Sequence, residues 1–202
     1  MAARARTRSS GTTSIRDSVT DLTFVSTNPG KFREVRSLLA PFGVRVRWRR
    51  RTLPEPQVDT LEEVVAAKLE AVRDLSGFVL VEDSGLFVPS LNGFPGVYSA
   101  HFLRTWKFGP LLELLKRRDR SAYFETVAGL RNGRRRWTFS GRVVGSIAPR
   151  PRGKNGFGYD PIFVPKGGRR TFAEISTEEK NALSHRARAV VQVGQLLSKR
   201  GR

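Results

Sequence analysis

The chain has 202 residues, 39% of them hydrophobic and 27% charged, which fits one sizeable folded domain or at most two small ones and excludes a disordered polymer. It contains no cysteine, so disulfide frameworks, thiolate metal sites and cysteine nucleophiles are excluded, a usage that fits the cytoplasm. No apolar run approaches the roughly 18 residues of a membrane helix, and the formal charge of +19 either marks a polyanionic partner or is arginine composition spread over a solvated surface.

In chain order, residues 1–20, MAARARTRSSGTTSIRDSVT, have hardly any apolar content and read as a disordered basic extension. Their Arg-rich, Ser-rich, acid-poor composition is also that of an organelle transit peptide, although no clear amphipathic helix is present. Residues 21–202 keep an even pattern, which predicts a single domain. An apolar strand, LTFV (22–25), leads through STNPGK (26–31) into a helix from Phe32 to Leu39. VRVRW (44–48) alternates as a strand does. TLEEVVAAKLEAVRDL (60–75) is a helix opened by a Thr60/Glu63 capping box, with Lys68 on its otherwise apolar face. FVLV (78–81) is the next strand and runs into Glu82, Asp83 and a Ser-Gly turn. LLELLKRR (111–118) is helical, and residues 122–147 form two long strands around an Asn-Gly turn. One closing helix is predicted over 176–197, with Ser176 as N-cap and Glu179 three residues on. Alternating strands and helices followed by a hairpin predict an α/β domain with a mixed sheet.

Ligands of open α/β sheets bind beyond the carboxyl ends of strands, where STNPGK and EDSG both fall. In STNPGK, Asn28 either simply caps the helix, with Pro29 at its first position, or belongs to an anion site. In that second reading Ser26, Thr27, Asn28, free first-turn N–H groups and Lys31 converge on phosphate. Glu82 and Asp83 are either turn acids facing solvent or arginines, or a pair serving Mg²⁺ beside the phosphate site. Neighbouring strand residues point to opposite faces, so a shared role needs a turn, which Gly85 permits. GFGYDPIF (156–163) superficially matches an RNA-recognition strand, but Asp160 and Pro161 break the match. A loop with Phe157 and Tyr159 as an aromatic wall for one base is the alternative to a plain buried cluster. Arg186 intrudes on the apolar stripe of the last helix, where it either snorkels to solvent or meets a polar ligand, and His185 beside it is structural or functional.

Taken in this order and spacing, STNPGKFREV, VEDSGLFV, LNGFPGVYSA, GFGYDPIF and TEEKNALSHRARA closely resemble the Ham1-type inosine triphosphate pyrophosphatases, over residues 22 to about 198. The resemblance implies an elongated mixed sheet with flanking helices, two lobes around a central cleft, and usually a homodimer. It implies Mg²⁺-dependent hydrolysis of ITP, dITP and XTP to the monophosphate and pyrophosphate, clearing deaminated purines from the nucleotide pool. By that resemblance Ser26, Thr27, Asn28, Lys31 and Lys68 hold the triphosphate. Glu82 is a Mg²⁺ ligand with Glu55 as its partner, and Asp83 reaches the metal and is the general base. Phe157 stacks on the purine, while Ser84, Tyr159, Asp160, Lys180, His185 and Arg186 line the base pocket. Hypoxanthine and xanthine carry a 6-oxo group where adenine has an amine, so donors at Arg186 and His185 favour them over ATP. Rejection of GTP then falls to exclusion of the 2-amino group. His101 stands where the pattern has a basic residue, and its role is open.

Two rivals remain at this stage. A nucleic-acid-binding module would use the basic charge but leaves the two acids unexplained, since carboxylates beside a phosphate path repel. A non-specific phosphatase would release orthophosphate instead of pyrophosphate. The resemblance implies neither specific nucleic-acid binding nor a membrane.

Overall fold

The computed structural model describes residues 19–199; the proposed extension, except for its last two residues, lies outside them. The strands are Thr20–Val25 (β1), Val44–Arg49 (β2), Phe78–Phe87 (β3), Pro95–Gly96 (β4), Ser121–Asn132 (β5), Arg135–Ile147 (β6) and Phe163–Pro165 (β7). The helices are Pro29–Leu39 (α1), Leu61–Ala71 (α2), Ser99–Trp106 (α3), Gly109–Leu114 (α4), Thr177–Leu183 (α5) and His185–Ser198 (α6). Together the strands make one mixed sheet in the order β2-β1-β3-β5-β6-β7, with β4 added to β3. β1 pairs in parallel with β2 and β3, and every other pairing is antiparallel. The fold class is therefore the expected α/β one, and no helix among the described residues is long and apolar enough to cross a membrane.

Local chemistry accounts for most boundaries. Asn28 Oδ1 accepts the N–H groups of Gly30 and Lys31 at 2.8 and 3.2 Å, and Pro29 fills the first helical position, where no donor is needed. The Thr60/Glu63 capping box starts α2 as predicted. The hairpin pairs Asn132 with Arg135 and turns through Gly133 at φ 59°.

Four expectations are corrected. Thr20 already pairs with Val44, so β1 begins inside the stretch assigned to the extension. The helix predicted over 111–118 is shorter and opens earlier, at Gly109 with a proline in its first turn. The single closing helix is two, because Ser184 turns extended (φ −70°, ψ 159°) and caps α6 by accepting the Ala187 N–H at 3.2 Å. Finally, EDSG does not end a strand: β3 runs straight through it in unbroken register with β5, Glu82 opposite Ala128 and Gly85 opposite Glu125. Gly85 is needed for closeness instead of turning, since a Cβ there would lie 2.5 Å from the Gly96 carbonyl oxygen of β4.

With no turn, alternation along β3 sorts its side chains. Val79, Val81 and Asp83 face α2, where Val25, Leu61, Val65, Leu69 and Val127 form one buried cluster. The opposite face carries Leu80, packed with β1, α1 and α6, and then Leu86, packed with Phe124, Phe163 and Phe172. Between those two apolar clusters lie Glu82, Ser84 and Thr126, a polar band that parts one cluster from the other.

Candidate active site

The site forms where the sheet loses a neighbour. β1 pairs with β3 only as far as Leu80, and β4 takes up the same edge at Leu86. Among the described residues no strand pairs with that edge over Val81–Gly85, and a cavity of about 550 Å³ opens there. An open edge lets both faces of the strand reach one space, so Asp83 and Ser84 line the same cavity without a turn.

On the α2 side, Asp83 Oδ1 accepts a 2.6 Å hydrogen bond from Lys68 Nζ, and Glu55 Oε1 lies 3.8 Å from the same ammonium. Burial disfavours charge on Lys68, but Asp83 above all, then Glu82 and Glu55, reverse this and raise its pKa. Lys68 stands behind Asp83 and does not line the cavity. Asp83 and Glu55 do, which gives two oxygen donors on separate elements. That donor set fits a hard divalent cation, which takes one or two carboxylates and completes its shell with phosphate oxygens and water. No group of three or more metal-capable side chains occurs among the described residues.

On the other face, Glu82 is buried behind the cavity wall between two cations. Lys31 Nζ lies 2.5 Å from its Oε1, and Arg186 Nε donates to Oε2 at 3.2 Å. Burial alone would raise the Glu82 pKa; Lys31 and Arg186 outweigh it and hold the carboxyl well below the usual range. Its charge is spent on those two partners, so of the three acids Glu82 fits a metal least. Arg186 does not snorkel: its guanidinium is buried and also donates to Glu34 Oε2 at 2.5 Å and to Ser84 Oγ at 3.1 Å. Lys180 Nζ completes the network, 2.8 Å from Glu34 and 2.5 Å from Asp160. Asp160 Oδ2 also accepts the Phe157 N–H at 2.8 Å, which fixes the loop.

Phe157 packs against Gly30 in the first turn of α1. A Cβ on Gly30 would come within 2.4 Å of its ring, while Lys180 Nζ sits 4.7 Å from the ring centroid on a cation–π path. Tyr159 is a wall whose hydroxyl is committed to the Ser99 carbonyl at 2.8 Å. His185 stacks on Phe124 (4.5 Å, 15°), and burial, then Arg186 and Lys180, push its pKa well down, leaving a neutral ring.

Of the sequence candidates, Asn28, Lys31, Glu55, Asp83, Ser84, Phe157, Tyr159, Asp160, Lys180, His185 and Arg186 line the cavity; Ser26, Thr27, Lys68 and Glu82 do not. The free N–H groups expected at the α1 terminus are absent, because Asn28 takes those of Gly30 and Lys31, and Phe32 N–H bonds to the Asn28 carbonyl. Ser26 Oγ accepts the Asn28 N–H at 3.1 Å, and Thr27 is exposed. Sequence reasoning missed Glu34, although it stands midway between Gly30 and Leu38 on the buried stripe of α1, the same anomaly that marked Arg186. It also missed Ser99, Phe108 and Phe124 of the wall, and the cations Arg104 and Lys107.

A model of the Ham1 family matches residues 22–196. A protein called dITP/XTP pyrophosphatase from Thermococcus kodakarensis is 49% identical over 172 residues, covering 84% of this chain and 92% of the relative. One of the same name from Pyrococcus horikoshii is 45% identical, covering 83% and 91%. Among solved structures, a HAM1 protein from Coxiella burnetii superposes with a TM-score of 0.76 at 31% identity, covering 89% of this chain and 99% of that one. The Staphylococcus aureus Ham1 protein gives 0.75, also at 31% identity, with coverage of 90% and 100%.

Proposed function

The chain belongs to the Ham1 family, and from that premise we propose that it is a nucleoside triphosphate pyrophosphatase acting on the non-standard purine nucleotides ITP, dITP and XTP. The observation that carries the reading is the meeting of Asp83 and Glu55 with a cavity walled by Phe157, Tyr159 and Arg186, at the stretch of β3 edge that no strand among the described residues pairs with, between β1 and β4. A rigid ring pinned at one end and two carboxylates at the other match a molecule with a flat base and a metal-seeking polyphosphate.

In this reading Asp83 and Glu55 hold a divalent ion, Mg²⁺, and Asp83 is the general base. The ion, when bound, supplies charge neutralisation on the phosphate oxygens and a more acidic water. Lys68 keeps Asp83 in place through Oδ1, and the carboxylate would take the proton of the attacking water. As water adds, the anhydride bond between the α- and β-phosphates breaks and its electrons leave with pyrophosphate. Asn28 and Lys31 border the polyphosphate, with Ser26, Thr27 and Lys68 supporting them from behind. Phe157 stacks on the base, while Ser84, Tyr159, Asp160, Lys180, His185 and Arg186 shape its pocket. Because Arg186 is already held by Glu34 and Glu82, it meets a 6-oxo group without moving, the preorganisation that discriminates against an amine. We also propose a homodimer, which light scattering would read as twice 22.6 kDa, and a place in the cytoplasm.

The test is incubation with Mg²⁺ and, separately, ITP, XTP, GTP and ATP, assaying pyrophosphate and orthophosphate in parallel. Pyrophosphate from ITP and XTP in preference to GTP and ATP supports the reading; orthophosphate as first product, or no turnover, overturns it. A second result depends on Gly30. Gly30→Ala improves helix propensity but drives a methyl into the Phe157 ring, so KM for ITP is expected to rise about tenfold, the scale of one lost base–aromatic stack. An unchanged KM would remove Phe157 from the base site.

A further inference from the structure

We propose that the last turn of α3 is a further substrate-binding element, in which Lys107, with Arg104 beside it, takes the nucleotide's polyphosphate at the cavity mouth. The proposal rests on the pyrophosphatase reading for its substrate, but its observations are separate.

The first observation is a charge account of the cavity. Lys31 is neutralised by Glu82, Lys180 by Glu34 and Asp160, and Arg186 by Glu34 and Glu82; Lys68, behind the wall, is neutralised by Asp83. The cations that line the cavity with no carboxylate partner among the described residues are Arg104 and Lys107. Arg104 Nη2 lies 3.2 Å from His101 Nδ1, a ring nitrogen that steers the guanidinium without cancelling its charge. Both side chains are exposed at the mouth. A polyphosphate entering this space therefore meets its uncompensated positive charge on α3 and not on the residues beneath.

The second observation is backbone strain. Lys107 ends α3 at φ 59° and ψ −150°, a region that glycine occupies readily and lysine does not. It is pinned there from both sides: its N–H bonds to the Leu103 carbonyl at 3.1 Å, and Phe108 packs toward Tyr159 with ring centroids 6.2 Å apart. A glycine would close the helix more cheaply, and one stands two residues on at Gly109. A long cationic side chain held in a glycine conformation at the rim of a cavity is a costly choice for mere chain reversal. It directs an ammonium over the opening.

The deciding experiment measures melting temperature, KM for ITP and calorimetric binding of tripolyphosphate with Mg²⁺, for wild type, Lys107→Gly, Lys107→Arg and the double variant Arg104→Gln/Lys107→Gln. Lys107→Gly is expected to melt higher, because strain is relieved, yet to bind tripolyphosphate about tenfold more weakly, the loss of one charge-assisted hydrogen bond. Lys107→Arg should restore binding, and the double variant should bind with a flatter dependence on salt. A structural role alone would leave tripolyphosphate binding untouched. Wild-type binding by the double variant overturns the proposal, as does weakened ITP binding with unchanged tripolyphosphate binding, which would place Lys107 at the base. If wild type fails to turn over ITP, the pyrophosphatase reading falls, and the tripolyphosphate titration still decides the role of α3.

Discussion

Asp83→Asn is expected to hydrolyse ITP about 10³-fold more slowly than wild type at saturating Mg²⁺ and ITP. The substitution keeps the shape of the side chain and an oxygen for Lys68, which wild type holds at 2.6 Å. It removes the lone pair that takes the water's proton and half of the anionic pair that Asp83 makes with Glu55. Lys68 keeps partial compensation from Glu55 at 3.8 Å, so the fold should survive, as circular dichroism will check. A loss that saturating Mg²⁺ does not restore assigns Asp83 to the chemical step. A variant that retained a tenth or more of the wild-type rate would dismiss it as the base.

The second large effect falls on stability. Glu34→Ala is expected to lower the unfolding free energy by about 3–5 kcal/mol, the usual result of removing one partner from a buried ion network. Glu34 is the acid that Arg186 and Lys180 share; without it Arg186 depends on Glu82 and Lys180 on Asp160. The pH dependence has a definite sign. Burial raises the Glu34 pKa, but Arg186 and Lys180 together bring it below its ordinary value. Its stabilisation is then complete above the unfolded carboxylate value of about 4.3 and is lost as pH falls through the lower, folded value. Urea unfolding at a series of pH values should therefore show the gap between wild type and variant narrowing in acid. A gap that stayed constant down to about pH 3 would mean that Glu34 acts by packing and not by charge.

Much of this was legible in the sequence where the signal is local. Capping at Asn28, Thr60 and Ser176, the 122–147 hairpin and the oddity of two acids after FVLV all rest on neighbours within a few residues. What escaped depends on distant partners. Ser-Gly after an acid pair looks like a turn, yet the register with β5 carries β3 through it. Residues 91–106 are broken by Gly and Pro and carry weak propensity, so β4 and α3 did not show. They are fixed from outside, by Ser99 Oγ bonding the Leu86 N–H at 2.8 Å and the Gly96 carbonyl at 2.6 Å. The Ser184 break hides within good helix formers, because a serine reads equally as interior or cap until its backbone is seen. Glu82, Asp83, Lys68 and Arg186 stood out because an ionisable group interrupts an apolar pattern, whereas Glu55 and Lys180 rested on the family resemblance. Glu34 satisfies the same criterion, an acid on the buried stripe of α1, but its partners Arg186 and Lys180 are far away in the chain.

The unpaired edge of β3 has a meaning beyond the reaction. An open strand edge is a template on which another chain can add a strand, and FVLV just before it is the apolar, β-branched kind of sequence that aggregates. Here the opening lies in a cleft, stopped by β1 at one end and β4 at the other. A foreign strand laid there would find only the short stretch from Val81 to Gly85 to pair with, between two strands already in place. The shortness of that gap, closed at both ends, is what keeps an otherwise adhesive edge from templating a further strand.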